Sequence, residues 1–262
     1  MRWSAILLSY LLIGCAAPDK GAVRIIGHGG SGTESDLPMN SGAALLRGAE
    51  LGIDGIELDA QLTADSILVA YHPADLNVLT DCVGKVNVLP WDEIAHCPVW
   101  GDGDTFRMVR LDSTIGAIAS RYPAVDFTMD CKLFAAGDWW SYLESFSDAV
   151  AALDQQPHLT GRLIVECQIV EFLDLVKRKR PGIQVYLYAT EANTGIATAK
   201  AKGYNGITID NALITQAQVA EAHAAGLSVA LFGVSGALGH RDALGKAPDR
   251  LQTDAPSDFA RH

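Results

Sequence analysis

Charge is sparse in this chain, and positive charge sparser still. Asp, Glu, Lys and Arg make up 19% of 262 residues, and 20 basic side chains face 31 acidic ones, for a net charge of −11. Such a surface repels a polyanion, so nucleic-acid binding is not expected. Cysteine is rare, five residues in all, too few for a chain of this length to be a disulfide-built scaffold. The 10 prolines and 25 glycines form no low-complexity tract, and no unit of about 20–50 residues repeats, which excludes solenoids and propellers. Beyond the N-terminus no apolar run reaches the roughly 20 residues needed to span a bilayer, so the chain is not polytopic. What is present is apolar mass, 49% of the residues, enough for a globular core.

At the N-terminus, Met1-Arg2 precedes an apolar run from Ala5 to Ile13 and the small residues Gly14-Cys15-Ala16-Ala17. One positive charge, a short greasy stretch and small residues read as a secretory signal, too short for a transmembrane anchor. Leu12-Ile13-Gly14-Cys15 resembles a bacterial lipobox. The resemblance implies a lipoprotein signal peptide over 1–14, lipidation of Cys15, a linker over 15–22 and one domain over 23–262. It also implies anchoring in the bacterial cell envelope, in the outer membrane facing the periplasm, because no Asp follows Cys15. In an oxidising compartment Cys82 and Cys97, flanking one loop-like stretch, are a candidate disulfide; Cys131 and Cys167 lie in strand patterns and read as buried thiols.

In the remainder, short β-branched or apolar runs alternate with helical stretches. Strands are expected at Val23–His28, Gly55–Ala60, Leu68–His72, Val125–Lys132, Arg162–Gln168, Gln184–Thr190, Gly206–Asn211, Ser228–Val234 and Arg250–Asp254. Helices are expected at Ser41–Leu51, Asp112–Arg121, Trp140–Leu153, Val170–Arg178, Ala192–Ala201 and Thr215–Ala225, many ending at Gly or Pro. This alternation over about 248 mature residues suits an α/β (β/α)₈ TIM barrel, typically about 250 residues. A doubly wound sheet is the alternative.

Nine strands are one too many for eight positions. The connection from Gly55–Ala60 to Leu68–His72 is too short for a parallel crossover, so these two are expected to form an antiparallel hairpin turning near Ala64-Asp65. Pairing Thr63 with Ser66 would set Glu57 opposite His72 and put Glu57, Asp59 and His72 on one face. The long irregular stretch 73–110, an insertion at the active-site end, reads as a lid, a binding loop or a decorative surface insertion.

The residues able to do chemistry gather at the ends of these strands. His28 follows the first, in Gly27-His28-Gly29-Gly30-Ser31-Gly32; Glu57 and Asp59 lie on the second; His72 ends the third; Asp130 and Lys132 end the fourth. On a barrel, catalytic groups collect at the carboxyl ends of several strands. Glu57, Asp59 and Asp130 offer hard oxygen ligands for one divalent cation, Mg²⁺ or Ca²⁺. His28 and His72 are a candidate acid–base pair, and Lys132 a fixed positive charge.

With those residues in order, the sequence resembles the glycerophosphodiester phosphodiesterase family along nearly its whole mature length. The family pattern is met by His28, Glu57-Leu58-Asp59, Thr63-Ala64-Asp65, His72, Asp130-Cys131-Lys132 and Thr253-Asp254-Ala255-Pro256. It departs at Gly29, where the family has an Arg that contacts phosphate, and at Pro73 in place of Asp. Asp130 replaces Glu, and Phe232 stands where Trp is frequent. The resemblance implies hydrolysis of a small phosphodiester to glycerol phosphate and an alcohol. His28 and His72 would serve as acid and base in either order, Lys132 would contact a phosphate oxygen, and the backbone N–H groups of Gly29-Gly30-Ser31-Gly32 would form an anion nest in place of the Arg.

Rival readings stay open at this level. Sphingomyelinase D-like or phospholipase activity on intact lipid headgroups uses the same parts, and a binding lipoprotein without turnover would keep the barrel. The glycines around His28 also spell a dinucleotide fingerprint, but Asp36-Leu37-Pro38 separates them from any helix. Asp254 reads as a strand-end turn residue, the direction of Glu166 is ambiguous, and His96, His158, His223, His240 and His262 read as surface. Lys177–Arg180 reads as a solvated helix end.

Overall fold

The computed structural model describes residues 20–101, 106–135 and 137–260. The signal segment, Cys15, all but the end of the linker, the turn Asp102-Gly103-Asp104 and His262 lie outside the described residues.

Strand β1 (Arg24–Gly27) runs through the glycine-rich loop to helix α1 (Gly42–Glu50), then to β2 (Gly55–Leu62) and β3 (Leu68–Ala70). The insertion carries α2 (Trp91–Ile94) and the two-residue strands β4 (Pro98–Val99), β5 (Phe106–Arg107) and β6 (Val109–Arg110). Helix α3 (Leu111–Arg121) leads to β7 (Asp126–Cys131), and regular alternation follows. It comprises α4 (Trp139–Asp154), β8 (Leu163–Cys167), α5 (Val170–Lys179), β9 (Gln184–Ala189) and α6 (Ala192–Lys202). It ends with β10 (Gly206–Asp210), α7 (Gln216–Ala224), β11 (Ser228–Val234), α8 (Gly236–Gly245) and β12 (Arg250–Thr253). Among the described residues, β1, β12, β11, β10, β9, β8, β7 and β2 form a parallel sheet that β1–β2 pairing closes. This is the expected (β/α)₈ barrel, with β3 as the ninth strand, antiparallel on β2.

Helix starts follow local chemistry. Ser41 caps α1 by accepting from Ala44 N–H, Glu191 caps α6, and Thr215 closes a capping box with Gln218 on α7. Helix α8, with three glycines in ten residues, has too weak a helical pattern to be expected from sequence.

The hairpin register differs from the expectation by one residue. Ala60 pairs with Ala70, Gln61 with Val69 and Leu62 with Leu68. Ser66 takes a left-handed φ of 64°, which makes the turn three residues long rather than two. A one-residue slip flips side-chain faces, so Glu57 and His72 are not a cross-strand pair. Strand β3 stops at Ala70, and His72 is freed from the pleat.

The insertion is a built unit rather than an open lid. Val69, Tyr71, Leu76, Val86, Ile94, Val99 and Met108 form a second hydrophobic core. Cys82 and Cys97 are disulfide-bonded across it, and β4 pairs with β5. Cys131 and Cys167 are buried free thiols.

Most apolar burial lies between barrel and helices, while the barrel interior is largely polar. Arg250, 5% exposed, forms a two-pronged ion pair with Asp126 near the strand starts. Above it, Glu166 accepts from Thr208 Oγ1 and from Gln252 Nε2, which resolves its direction as inward. The carboxylates at the strand ends lie above these layers.

Candidate active site

The parallel register between β2 and β7 sets Asp59 beside Asp130, and alternation along β2 puts Glu57 on the same inward face. One oxygen from each of Glu57, Asp59 and Asp130 lies within 4.8 Å of the other two, and all three residues are buried. Lys132 rises beside them, its Nζ 2.5 Å from Asp130 and 3.1 Å from Asp59. His28 leaves the end of β1 with Nδ1 2.6 Å from Asp254 Oδ1 and Nε2 3.9 Å from Glu57. His72 stands exposed at the mouth and lines the same cavity as His28. The structure therefore gathers His28, Glu57, Asp59, His72, Asp130 and Lys132 at one end of the barrel.

Gly29 and Gly30 belong to the site in a different way from the expected nest. Gly29 N–H donates to Glu57 Oε2 at 2.8 Å, Gly30 N–H to Gly27 O and Gly32 N–H to His28 O. Three of the four N–H groups of the expected nest, those of Gly29, Gly30 and Gly32, are thus already engaged. The glycines serve close approach instead: a Cβ on Gly30 would lie 2.5 Å from the backbone of Ala44. Helix α1 opens at Gly42, well beyond these glycines, so the dinucleotide reading falls.

Two site residues escaped the sequence reading. Asp254 is the partner of His28 and not merely a turn residue; the Thr-Asp-x-Pro of the family pattern was its signal. Asn40 donates to Asp59 Oδ2 at 2.6 Å and accepts from Asp59 N–H at 2.8 Å, fixing that carboxylate. It sits at a φ of 65°, a conformation that Asn tolerates better than most residues. His240 corrects in the other direction: it is fully buried, bonded to Thr253 Oγ1 and stacked edge-on against Phe259. Phe232 packs on Tyr188 with ring centroids 5.2 Å apart. Of the basic helix end, Lys179 and Arg180 form ion pairs with Glu144, Asp148 and Asp154.

The electrostatics follow from crowding charge in a dry place. Burial pushes the Glu57 carboxyl well up, and Asp59 adds to it while His28 opposes. Burial also raises Asp130, against the pull of Lys132. Burial would lower Lys132, but Asp59 and Asp130 raise it further than burial lowers it. For His28 burial again works downward. The Asp254 hydrogen bond and the charges of Glu57, Asp254 and Asp59 overcome it and raise the imidazole to about 9. Three converging buried carboxylates, with Glu57 and Asp130 raised by burial, suit a divalent cation with oxygen ligands.

The comparisons with known proteins agree with this geometry. A model of the glycerophosphoryl diester phosphodiesterase family matches residues 30–256. A glycerophosphodiester phosphodiesterase of Caldanaerobacter subterraneus subsp. tengcongensis is 41% identical over 70 residues, 27% of this chain and only 28% of that relative's length. A crystal structure from Silicibacter pomeroyi, named for the glycerophosphoryl diester phosphodiesterases, superposes with a TM-score of 0.81. The match covers 90% of this chain and 91% of that one at 21% identity. An Oleispira antarctica phosphodiesterase, in complex with its product sn-glycerol-3-phosphate, superposes with a TM-score of 0.76 at 21% identity, covering 90% and 94%. On the family match and the shared barrel, this chain belongs to the glycerophosphoryl diester phosphodiesterase family.

Proposed function

We propose that this protein hydrolyses glycerophosphodiesters to glycerol phosphate and an alcohol with the help of one divalent cation, Mg²⁺ or Ca²⁺. The observation that carries the reading is the convergence of Glu57, Asp59 and Asp130 within 4.8 Å of one another, beside two histidines. When bound, the cation withdraws charge from phosphate oxygens and orients the diester. Glu57, Asp59 and Asp130 would hold it, with Asn40 fixing the Asp59 carboxylate. Lys132, already the counter-charge of this cluster, would face a non-bridging phosphate oxygen. His28, hydrogen-bonded through Nδ1 to Asp254, is assigned to protonate the leaving alcohol from Nε2. His72, across the same cavity, is assigned as base toward the glycerol 2-hydroxyl or a water.

The test is release of choline, ethanolamine or glycerol from a panel of soluble glycerophosphodiesters, with chelator and after adding back Mg²⁺ or Ca²⁺. Release that chelator stops and one of these ions restores supports the reading. Glycerophosphate binding without release would favour the binding lipoprotein instead.

We also propose that residues 1–14 direct export and that a lipid on Cys15 holds the protein in the bacterial cell envelope, at the periplasmic face of the outer membrane. The observation that supports this is the lipobox-like tetrad Leu12-Ile13-Gly14-Cys15. Cys15→Ser should move the protein into the soluble fraction, and continued membrane association would count against lipidation.

A further inference from the structure

The cavity shared by His28 and His72 measures about 540 Å³, and its walls are apolar. One wall is Pro38 and Met39 from the loop after β1; the other is Leu79 and Trp100 from the insertion. Among the described residues, no Asp, Glu, Lys or Arg lines it. Leu79 and Trp100 remain 38% and 51% exposed, an arrangement that leaves large apolar surface in water beside the reacting groups.

Both walls are fixed. Trp100 N–H donates to Leu79 O at 3.0 Å, Thr80 bridges to Val99, and the Cys82–Cys97 disulfide ties the same two segments together. On the other side, Met39 occupies the space into which a side chain at position 29 would project. A Cβ on Gly29 would lie 2.6 Å from Met39 Cε and 2.7 Å from Met39 Cβ. At that place the chain presents the Met39 thioether to the cavity.

We propose that this slot binds a hydrocarbon chain on the substrate, so that the preferred diesters are monoacyl or monoalkyl glycerophosphodiesters rather than acyl-free ones. The inference rests on the hydrolase reading above and names the substrate class within it. A quaternary ammonium group can also lie against aromatic faces such as those of Trp100 and Tyr71, but it would leave the rate indifferent to the length of an acyl chain. A hydrocarbon chain gains from leaving water against Met39, Leu79 and Trp100, at about 0.8 kcal/mol for each buried methylene.

The test measures kcat/KM for glycerophosphocholine and for its monoacyl derivatives of six and eight carbons, all below their micellar concentrations. The expected result is a rise of at least about tenfold from the acyl-free to the eight-carbon substrate. Met39→Ala and Leu79→Ala, on opposite walls, should each reduce that ratio by about threefold or more. Val83→Ala, at an exposed insertion residue outside the slot, should leave the ratio as it is. Turnover of glycerophosphocholine with a flat or falling chain-length profile overturns the slot. So does a rising profile that both wall variants retain. Failure to turn over any diester refutes the hydrolase reading itself, a separate outcome.

Discussion

Asp254→Asn tests the site most directly, because it keeps the shape of the side chain and removes its charge. The His28 imidazole stands at about 9 against an ordinary 6.5, and burial, the largest influence, works against that rise. The upward push comes first from the Asp254 hydrogen bond, then from the charges of Glu57, Asp254 and Asp59. Losing both Asp254 contributions should lower the imidazole by at least about one pKa unit, or about 1.4 kcal/mol. A raised folded-state pKa stabilises fully below about 6.5 and loses that contribution as pH climbs through about 9. In chelator-treated protein the variant should therefore be less stable than the parent at pH 6 by about 1.4 kcal/mol, and equally stable well above pH 9. If His28 donates the proton, the alkaline limb of kcat/KM in a headgroup-release assay should move to lower pH in the variant. An alkaline limb that stays in place while kcat merely falls would refute the assignment of Asp254 as the partner that keeps His28 protonated.

Three further outcomes follow from the same geometry. Glu57→Gln should weaken Mg²⁺ or Ca²⁺ binding by at least about tenfold in titration calorimetry; an unchanged affinity removes Glu57 from the ligand set. Burial, with the charge of Asp130, raises Glu166 to about 7 from 4.5, against the hydrogen bonds of Thr208 and Gln252. Its bound proton stabilises the fold below 4.5, and that contribution disappears as pH rises through about 7. Glu166→Gln should accordingly stabilise the chelator-treated protein by up to about 3 kcal/mol at pH 8 and barely at pH 4.5, and an equal gain at both pH values in denaturant titrations would contradict this. Ser66→Gly relieves the left-handed φ of 64° and should raise stability by roughly 0.5–1 kcal/mol; a loss in the same titration would mean that the Ser66 side chain supplies more than the turn costs.

The hairpin shows where legibility stopped. Strand existence was readable because apolar runs ended at Gly, Pro and helical patterns, and β2 and β3 were recognised as a pair from the short connection alone. The register was not, since it turns on a single backbone angle. Thr63 Oγ1 accepts from Ile67 N–H and donates to Asp65, and Asp65 in turn accepts from Trp91 N–H. These bonds shape a three-residue turn that alternation cannot reveal. Asp254 and Asn40 were hidden for another reason. Each acts on a partner far away in sequence, 226 residues for Asp254 and His28 and 19 for Asn40 and Asp59, and no local pattern encodes such a pairing. His240 misled because a histidine on a glycine-rich stretch looks solvated, whereas Thr253 Oγ1 and the Phe259 ring enclose it.

The candidate site itself was legible because the barrel interior is polar. Parallel strands buried on both faces ordinarily read as continuous hydrophobic runs. Here Glu57, Asp59 and Gln61 alternate with Ile56, Leu58 and Ala60 on β2, and Asp126, Thr128 and Asp130 with Phe127, Met129 and Cys131 on β7. A buried polar group must find partners, and most of these do so within their own layer. At the strand starts Asp126 is shared by Arg24 and Arg250. Halfway up, Glu166 is held by Thr208 and Gln252 and is pushed to about 7, so that much of it is neutral. At the strand ends the balance changes: three carboxylates meet Lys132 and His28, and His28 also serves Asp254. Negative charge exceeds its partners there. The same residue types that fill the lower barrel as structure thus form, at the strand ends, a carboxylate cluster that could hold a cation, through charge balance.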